Sequence, residues 1–480
     1  MEQRGAREHM GLIVGPLLAA TMLVAGSPGE LEPAAWVVAA LTLWMAVWWV
    51  SEAVPVAVTA LLPLVFLPLL GVADIEAVAA PYAHPLVLLF LGGFLIALAI
   101  RRCDLHRRMA LLIVAAVGYR PDRLVAGFML ATAFLSMWIS NTATAAMMLP
   151  IGLSVIALLE EDGARPRQRF AVALLLGIAW GANIGGMGTL IGTPPNALLA
   201  AYMNERHDLA IGYVQWMMVG VPVAVVLLGL AWWLLVRVVF PLREDSTPEV
   251  AALFARERQA MGPLSTPEIR VLAVFLLVVM GWMTRPLLQT WLPAITDTSI
   301  ALAGAVALFL IPERGWKASP LLVWRATQAL PWGVLILVGG GLSLGAAIDE
   351  SGLAMALAGG LQVLAGLPVW LGVLCVALLA MALSHVTSNT ATAAMLIPLA
   401  AGLAPLLDLP PLLLALPVVL AASCAFMLPV ATPPNAIVFG SERLTIPDMV
   451  RGGSVVSLAA LAVIVPAVFL LGPLLLGMVS

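Results

Sequence analysis

Apolar runs follow one another along the whole 480-residue chain, interrupted by short polar stretches rich in Pro, Gly and charge. A helix needs about 20 apolar residues to cross roughly 30 Å of hydrocarbon. By that measure spans are expected at 11–26, 34–51, 54–71, 84–103, 171–202, 213–237, 270–290, 296–312, 332–350 and 453–477, with a broken one at 411–440. Two stretches, 123–158 and 370–405, do not fit. Each holds two apolar legs of about 15 residues around a Ser-Asn-Thr, at Ser140, Asn141, Thr142 and at Ser388, Asn389, Thr390. Legs of that length fall short of the hydrocarbon thickness. Each pair therefore reads as a re-entrant hairpin that enters and leaves on one side. The expected fold is an all-α polytopic membrane protein with about eleven transmembrane helices plus two re-entrant hairpins.

Composition agrees. Hydrophobic residues make up 62% of the chain and charged residues 10%, with a mean hydropathy of +1.06. So few charges could not cover a soluble protein of this length. The first apolar run follows Arg4 and Arg7, as in a signal peptide. No convincing small-x-small cleavage site follows, so a retained helix is expected. Cys103, Cys375 and Cys424 lie in or beside apolar runs, without metal or disulfide spacing, and read as buried small hydrophobes. The five histidines, His9, His84, His106, His207 and His385, form no metal-spaced set, which argues against a membrane enzyme.

Charge placement sets the orientation. With a cytoplasmic N-terminus, Arg101, Arg102, Arg107, Arg108, Arg120, Arg123, Arg165, Arg167 and Arg169 fall inside, around the first hairpin. So do Arg237, Arg243, Arg256, Arg258, Arg270, Arg314, Lys317, Arg325, Arg443 and Arg451. Only Arg206 and Arg285 fall outside, with Glu30, Glu32, Asp74, Glu76, Asp349, Glu350 and Asp408. The first hairpin then opens to the cytoplasm, the second to the outside, and the C-terminus lies outside.

An eleven-residue block running from Ser140 to Pro150 returns almost unchanged from Ser388 to Pro398, and each copy is followed by Thr-Pro-Pro-Asn, at Thr193–Asn196 and Thr432–Asn435. Gly92-Gly93 and Ala99-Ile100 recur as Gly340-Gly341 and Ala347-Ile348, at the same spacing of 248 residues. An odd number of crossings between the copies makes them inverted repeats. The chain divides into an N-terminal helix (1–33), a first repeat (34–240), a cytoplasmic linker with an interfacial helix (241–269) and a second repeat (270–480).

Ser, Asn and Thr at a hairpin tip can cap the two broken helix ends. Free N–H groups at a helix start favour anions, while freed carbonyls and an Asn oxygen are hard ligands suited to Na⁺. Proline in Thr-Pro-Pro-Asn breaks a spanning helix and exposes carbonyls in the same way. One tip and one broken helix per repeat would make two cation sites flanking an anion site. No Lys or Arg lies in either motif, so the anion is expected to be held by hydroxyls, amides, helix ends and Na⁺ rather than by an arginine clamp. Glu52 reads as a helix-end carboxylate rather than a proton site, and His385 as a packed or pore-lining side chain rather than a proton relay.

These motifs resemble those of the divalent anion/sodium symporter family, also called the dicarboxylate transporter or INDY-like family. Further similarity lies in the segment from Ala422 to Val438 and in Trp49-Val-Ser-Glu-Ala-Val-Pro55, and the likeness extends over nearly the whole chain. The resemblance implies a homodimer in the bacterial inner membrane, with a scaffold domain and an elevator-type transport domain. It implies one Na⁺ site at Ser136, Asn141 and Gly192, and another at Ser384, Asn389 and Ala431. Substrate carboxylates would meet Ser140, Asn141, Thr142, Ser388, Asn389 and Thr390, with Thr432 and Pro433 nearby. The implied partners are Na⁺, a C4-dicarboxylate, the lipid bilayer and a second copy of the chain, with no nucleic acid. The implied activity is Na⁺-coupled symport of succinate, malate or fumarate. Na⁺-independent exchange, or carriage of sulfate, citrate or an arsenite-type oxyanion, stands as the alternative, with a passive channel a minor one.

Overall fold

The computed structural model describes residues 6–29, 31–160, 166–242, 248–315, 318–359 and 368–477. Arg4, Glu30, Arg165, Arg243, Lys317 and the side chain of Arg167 lie outside the described residues. Among the described residues, regular structure is helical apart from one isolated bridge between Pro312 and Pro320.

The N-terminal helix α1 (Ala6–Ala25) packs on α2 (Pro33–Ser51). Glu52 ends α2 in the left-handed conformation and is exposed, as a helix-end carboxylate should be. The span expected at 54–71 is split into α3 (Val56–Thr59) and α4 (Leu62–Leu69), followed by the short α5 (Ile75–Ala79). Next come α6 (Pro85–Arg102) and α7 (Leu105–Val117). Helices α8 (Pro121–Ser136) and α9 (Asn141–Glu160) meet at the first Ser-Asn-Thr. The broken helix expected at 171–202 begins earlier, and its halves are α10 (Pro166–Gly186) and α11 (Pro194–His207). Helix α12 (Tyr213–Trp233) continues into a π-helical turn, Leu234–Val239.

The linker contributes α13 (Pro248–Met261). Its buried Phe254 packs its ring against Tyr119 and Phe128, and Glu257 pairs with Arg107. The second repeat then runs through α14 (Thr266–Leu288), α15 (Asp297–Leu310), α16 (Trp332–Glu350) and α17 (Leu353–Gly359). Helices α18 (Val369–Ser384) and α19 (Asn389–Leu403) meet at the second Ser-Asn-Thr. The broken helix follows as α20 (Pro411–Ala422) and α21 (Pro433–Phe439), and α22 (Ile446–Gly477) closes the fold.

Nine helices among the described residues are long and apolar enough to cross a membrane. One of them, Asn141–Leu159, corrects the expectation of two short hairpin legs. Helix α9 has 20 residues, so leg length argues for re-entrance only at α8, α18 and α19, of 16, 16 and 15 residues. The cysteine expectation is corrected too: Cys424 is buried, but Cys103 is half-buried and Cys375 exposed.

The broken helices form the centre. Helix α10 is buried along nearly its whole length, as an all-round apolar helix must be. Its Gly177, Gly181 and Gly185 face α8, and a β-carbon at Gly181 would lie 2.9 Å from the Met129 carbonyl oxygen. Small residues at this spacing let helices approach closely in lipid, where apolar burial between helices drives nothing. The duplicated glycine pairs serve the same purpose across repeats. A β-carbon at Gly92 would lie 2.9 Å from the backbone of Ala301 on α15, and one at Gly340 would strike the carbonyl of Ala60, which ends α3. Each repeat thus receives a helix of the other against its glycine pair.

Nine ion pairs between described residues join groups that the charge reading puts on one side. Arg102–Glu313, Arg107–Glu257, Arg108–Glu268, Arg120–Asp122 and Arg237–Asp122 form one set. His84–Glu205, Arg206–Asp349, Arg206–Glu350 and Arg285–Asp297 form the other. The two arginines expected outside are therefore each paired with acid.

Candidate functional site

The first tip is built by a serine that stops one helix and an asparagine that starts the next. Ser140 Oγ accepts from the N–H of Ala143 at 3.4 Å, capping α9. Ser136, the last residue of α8, donates to Asn141 Oδ1 at 2.5 Å. The same terminal atom of Asn141 lies 3.1 Å from the Gly192 carbonyl oxygen and 3.3 Å from that of Ala182. Four oxygens converge, and one hydroxyl proton is available to share among them. Turning the carboxamide over would put N–H there instead. With the N–H turned there the amide satisfies those oxygens itself; with Oδ1 there the oxygens are open to a cation. Gly186 makes room, since a β-carbon there would lie 2.5 Å from Asn141 Oδ1.

The second tip repeats the arrangement. Ser388 Oγ caps α19 by accepting from Ala391 N–H at 3.4 Å. Ser384 Oγ lies 2.7 Å from Asn389 Oδ1 and 2.7 Å from the carbonyl oxygen of Ala422. One proton cannot serve both acceptors, so this cluster is short of positive charge. The donor set of both clusters is hydroxyl, carboxamide and carbonyl oxygen, a hard set that suits Na⁺. Among the described residues no group of three or more His, Cys, Asp or Glu is placed to hold a metal ion.

Most carbonyls freed at the breaks are already engaged. Asn196 Nδ2 donates to the carbonyls of Gly186, Met187 and Thr189 at 3.1, 3.4 and 2.7 Å. Trp216 Nε1 adds a bond to Met187 O at 2.9 Å. In the second repeat Asn435 Nδ2 holds the carbonyls of Ala425 and Leu428 at 3.1 and 3.0 Å, and Ser457 Oγ holds that of Cys424 at 3.0 Å. The Asn of each Thr-Pro-Pro-Asn is thus a carbonyl clamp. It ties up most of the loop's oxygens and leaves those of Ala182, Gly192 and Ala422 facing the asparagines and serines of the tips.

The remaining expected residues divide by burial. Ser140, Asn141, Ser388 and Asn389 are half-buried at the tips. Thr142 is exposed, whereas Thr390 is buried. Thr432 caps α21 and is buried beside exposed Pro433, and Ala431 is buried at the end of the turn Pro429–Ala431. Proline at the first helical position suits both α11 and α21, because that N–H has no helical partner.

Sequence reading placed Asn196 and Asn435 in the duplicated motif without seeing them as carbonyl clamps, and gave no role to Ala182, Ala422 or Asn183. The alanines act through backbone and carry no signal. It also missed Arg7. Its guanidinium donates to the carbonyls of Val50 and Val386, the latter at 3.0 Å. A cation therefore does reach the second tip, from 379 positions away. It binds backbone there and tethers the tip. His385 is packed, with Nδ1 2.7 Å from Met381 O.

Comparison with known proteins points the same way. Residues 6–478 match the model of the sodium:sulfate symporter transmembrane region. The chain is 42% identical over 477 residues to the sodium-dependent dicarboxylate transporter SdcS of Staphylococcus saprophyticus, covering 98% of this chain and 92% of that one. It is 40% identical over 481 residues to SdcS of Staphylococcus aureus, with the same coverage. Among solved structures, the fold is similar to MtrF of Neisseria gonorrhoeae (TM-score 0.59, 11% identity, 97% of this chain and 95% of that one). It is also similar to the YdaH transporter of Alcanivorax borkumensis (TM-score 0.53, 14% identity, 96% of each). At such identities these two speak for the fold alone.

Proposed function

The chain belongs to the sodium:sulfate symporter family, and from that premise we propose that it is a secondary transporter coupling Na⁺ entry to uptake of C4-dicarboxylates such as succinate, malate and fumarate. The two relatives at 40–42% identity carry the name of sodium-dependent dicarboxylate transporters over nearly their full length. The observation that carries the reading to this chain is the pair of matching clusters at Ser136–Asn141 and Ser384–Asn389, each gathering a hydroxyl, a carboxamide and backbone carbonyl oxygen.

One Na⁺ is held by Ser136, Asn141 and Gly192, joined by the carbonyl of Ala182. The other is held by Ser384, Asn389 and Ala431, joined by the carbonyl of Ala422. A dianion lies between, against Ser140, Asn141, Thr142, Ser388, Asn389 and Thr390, with Thr432 and Pro433 beside it. Helix starts at Asn141, Asn389 and Pro433 direct N–H groups and positive dipole ends to the same region. Arg7 uses its donors on the Val50 and Val386 carbonyls, so the Na⁺ ions supply the charge that the anion needs and anion binding depends on them. The protein is an integral membrane protein, placed in a bacterial inner membrane with its N-terminus in the cytoplasm and its C-terminus outside. The two-sided segregation of its ion pairs supports that threading. The proposed assembly is a homodimer, each protomer made of two inverted repeats whose re-entrant hairpins and broken helices move as an elevator.

Uptake of labelled succinate into proteoliposomes, with and without an inward Na⁺ gradient, tests this. Accumulation that needs the gradient, and competition by malate and fumarate but not sulfate, is expected. Uptake indifferent to Na⁺ would replace symport by exchange, and no dicarboxylate uptake would sink the substrate assignment.

A further inference from the structure

Asn183 and Thr432 come from different repeats and meet at the centre. Asn183 lies on α10 just before its break, and Thr432 caps α21; their exposures are 1% and 3%. Asn183 Nδ2 donates to Thr432 Oγ1 at 3.0 Å. The same hydroxyl oxygen accepts from the N–H of Asn435 at 3.4 Å. A threonine hydroxyl has two acceptor lone pairs and one proton. With both lone pairs engaged, all that remains to it is to donate. The first repeat has no such device. Thr193, the counterpart of Thr432, makes no side-chain cap, and the residue 239 positions after Asn183 is Ala422. The link is therefore an asymmetry imposed on duplicated halves.

We propose that Asn183 is a positioning residue that fixes the Thr432 hydroxyl as a permanent hydrogen-bond donor towards a substrate carboxylate. The second repeat then reads the anion through a neutral donor whose polarity is set by the first. This rests on the reading that Thr432 contacts substrate. A hydroxyl free to rotate could present a lone pair to the anion, which repels it. One whose lone pairs are occupied cannot.

Succinate and Na⁺ dependence of uptake in proteoliposomes would be measured for Asn183→Ala, Asn183→Asp, Thr432→Val, Thr432→Ser and the Asn183→Ala/Thr432→Val pair. Asp is isosteric with Asn but at neutral pH offers acceptors only, so it draws the hydroxyl proton onto itself. Asn183→Asp and Thr432→Val are expected to raise the succinate KM about tenfold or more, the scale of one hydrogen bond to a charged group. The maximal rate and the half-saturating Na⁺ concentration stay near wild type, which a merely structural lesion would not spare. Asn183→Ala raises the KM less, and adds nothing once Thr432 is Val, because it acts through that hydroxyl. Thr432→Ser, which keeps the hydroxyl, is expected to recover most of the succinate affinity lost in Thr432→Val. An unchanged KM in Asn183→Asp would mean that the hydroxyl donates to residue 183, and would overturn the proposal. Multiplying effects of Asn183→Ala and Thr432→Val would overturn it as well, and that cycle decides the matter if the Asp variant does not fold. An unchanged KM in Thr432→Val would instead remove Thr432 from the substrate site and take the proposal with it.

Discussion

At the scale of single residues, the proposed cation sites are clusters of oxygen atoms. Ser136 and Asn141 gather two backbone carbonyls, and Ser384 and Asn389 gather one, where a single hydroxyl proton faces two acceptors. A buried acceptor left unpaired costs about 1–3 kcal/mol, and in the proposed reading a cation at each cluster would offset that cost. Asn141→Ala and Asn389→Ala should each abolish Na⁺-dependent succinate uptake while leaving the protein folded, as judged by thermal unfolding in detergent. Wild-type uptake in both would refute the assignment of those oxygens. Gly186→Ala is a subtler probe, because it presses one methyl group against the Asn141 carboxamide while replacing no proposed ligand. It should raise the half-saturating Na⁺ concentration at least severalfold. An unaltered Na⁺ curve would mean that the carboxamide does not need its observed position.

At the scale of elements, each broken helix is held open by an asparagine of its own second half. Asn196 binds three carbonyls with its two N–H groups and Asn435 binds two, from the end of the first half-helix and the loop after it. The loop would otherwise present buried carbonyls without partners, which neither lipid nor packed helices can satisfy. Asn196→Ala should therefore destabilise the protein by about 1–3 kcal/mol or more, seen as a lower midpoint of thermal unfolding, besides lowering transport. A loss of transport with an unchanged midpoint would make Asn196 a ligand rather than a clamp. The duplicated Thr-Pro-Pro-Asn thus serves two ends: proline and threonine start the second half-helix, and asparagine closes the gap behind it.

At the scale of the whole molecule, the repeats are interlaced. Helix α21 packs on α9 and α11 packs on α19, so each broken helix supports the other repeat's hairpin. Glycine pairs at Gly92 and Gly340 let a helix from the opposite half approach to backbone contact. Two cation sites built on such a frame should couple ion binding to overall stability. Na⁺ at about 100 times its dissociation constant would add about 2.7 kcal/mol per site. Purified protein should unfold at a higher temperature in Na⁺ than in K⁺ or choline at equal ionic strength, and the difference should vanish when Asn141 and Asn389 are both Ala. A shift retained in that double variant would place the stabilising cation elsewhere.

The helical membrane class, the duplicated tips and the two breaks are legible in the chain because they rest on local rules. These are apolar run length, proline's missing donor, and the capping preference of Ser and Thr. The pairing of Ser136 with Asn141 and of Ser384 with Asn389, five positions apart at each tip, stood in the sequence too, implied by family likeness rather than by periodicity. Leg length was less legible: α9 runs to 20 residues, because nothing local distinguishes a long hairpin leg from a span. Only the tertiary structure could decide which carbonyls stay available, since Ala182 and Ala422 contribute backbone that any residue carries. Only it could bring Arg7 to Val386 and Asn183 to Thr432, which lie 379 and 249 positions apart. Sequence by itself determined what each segment does on its own. Contact across the repeats decided where protons and lone pairs point, because a hydrogen bond's direction depends on both partners and the chain specifies them far apart.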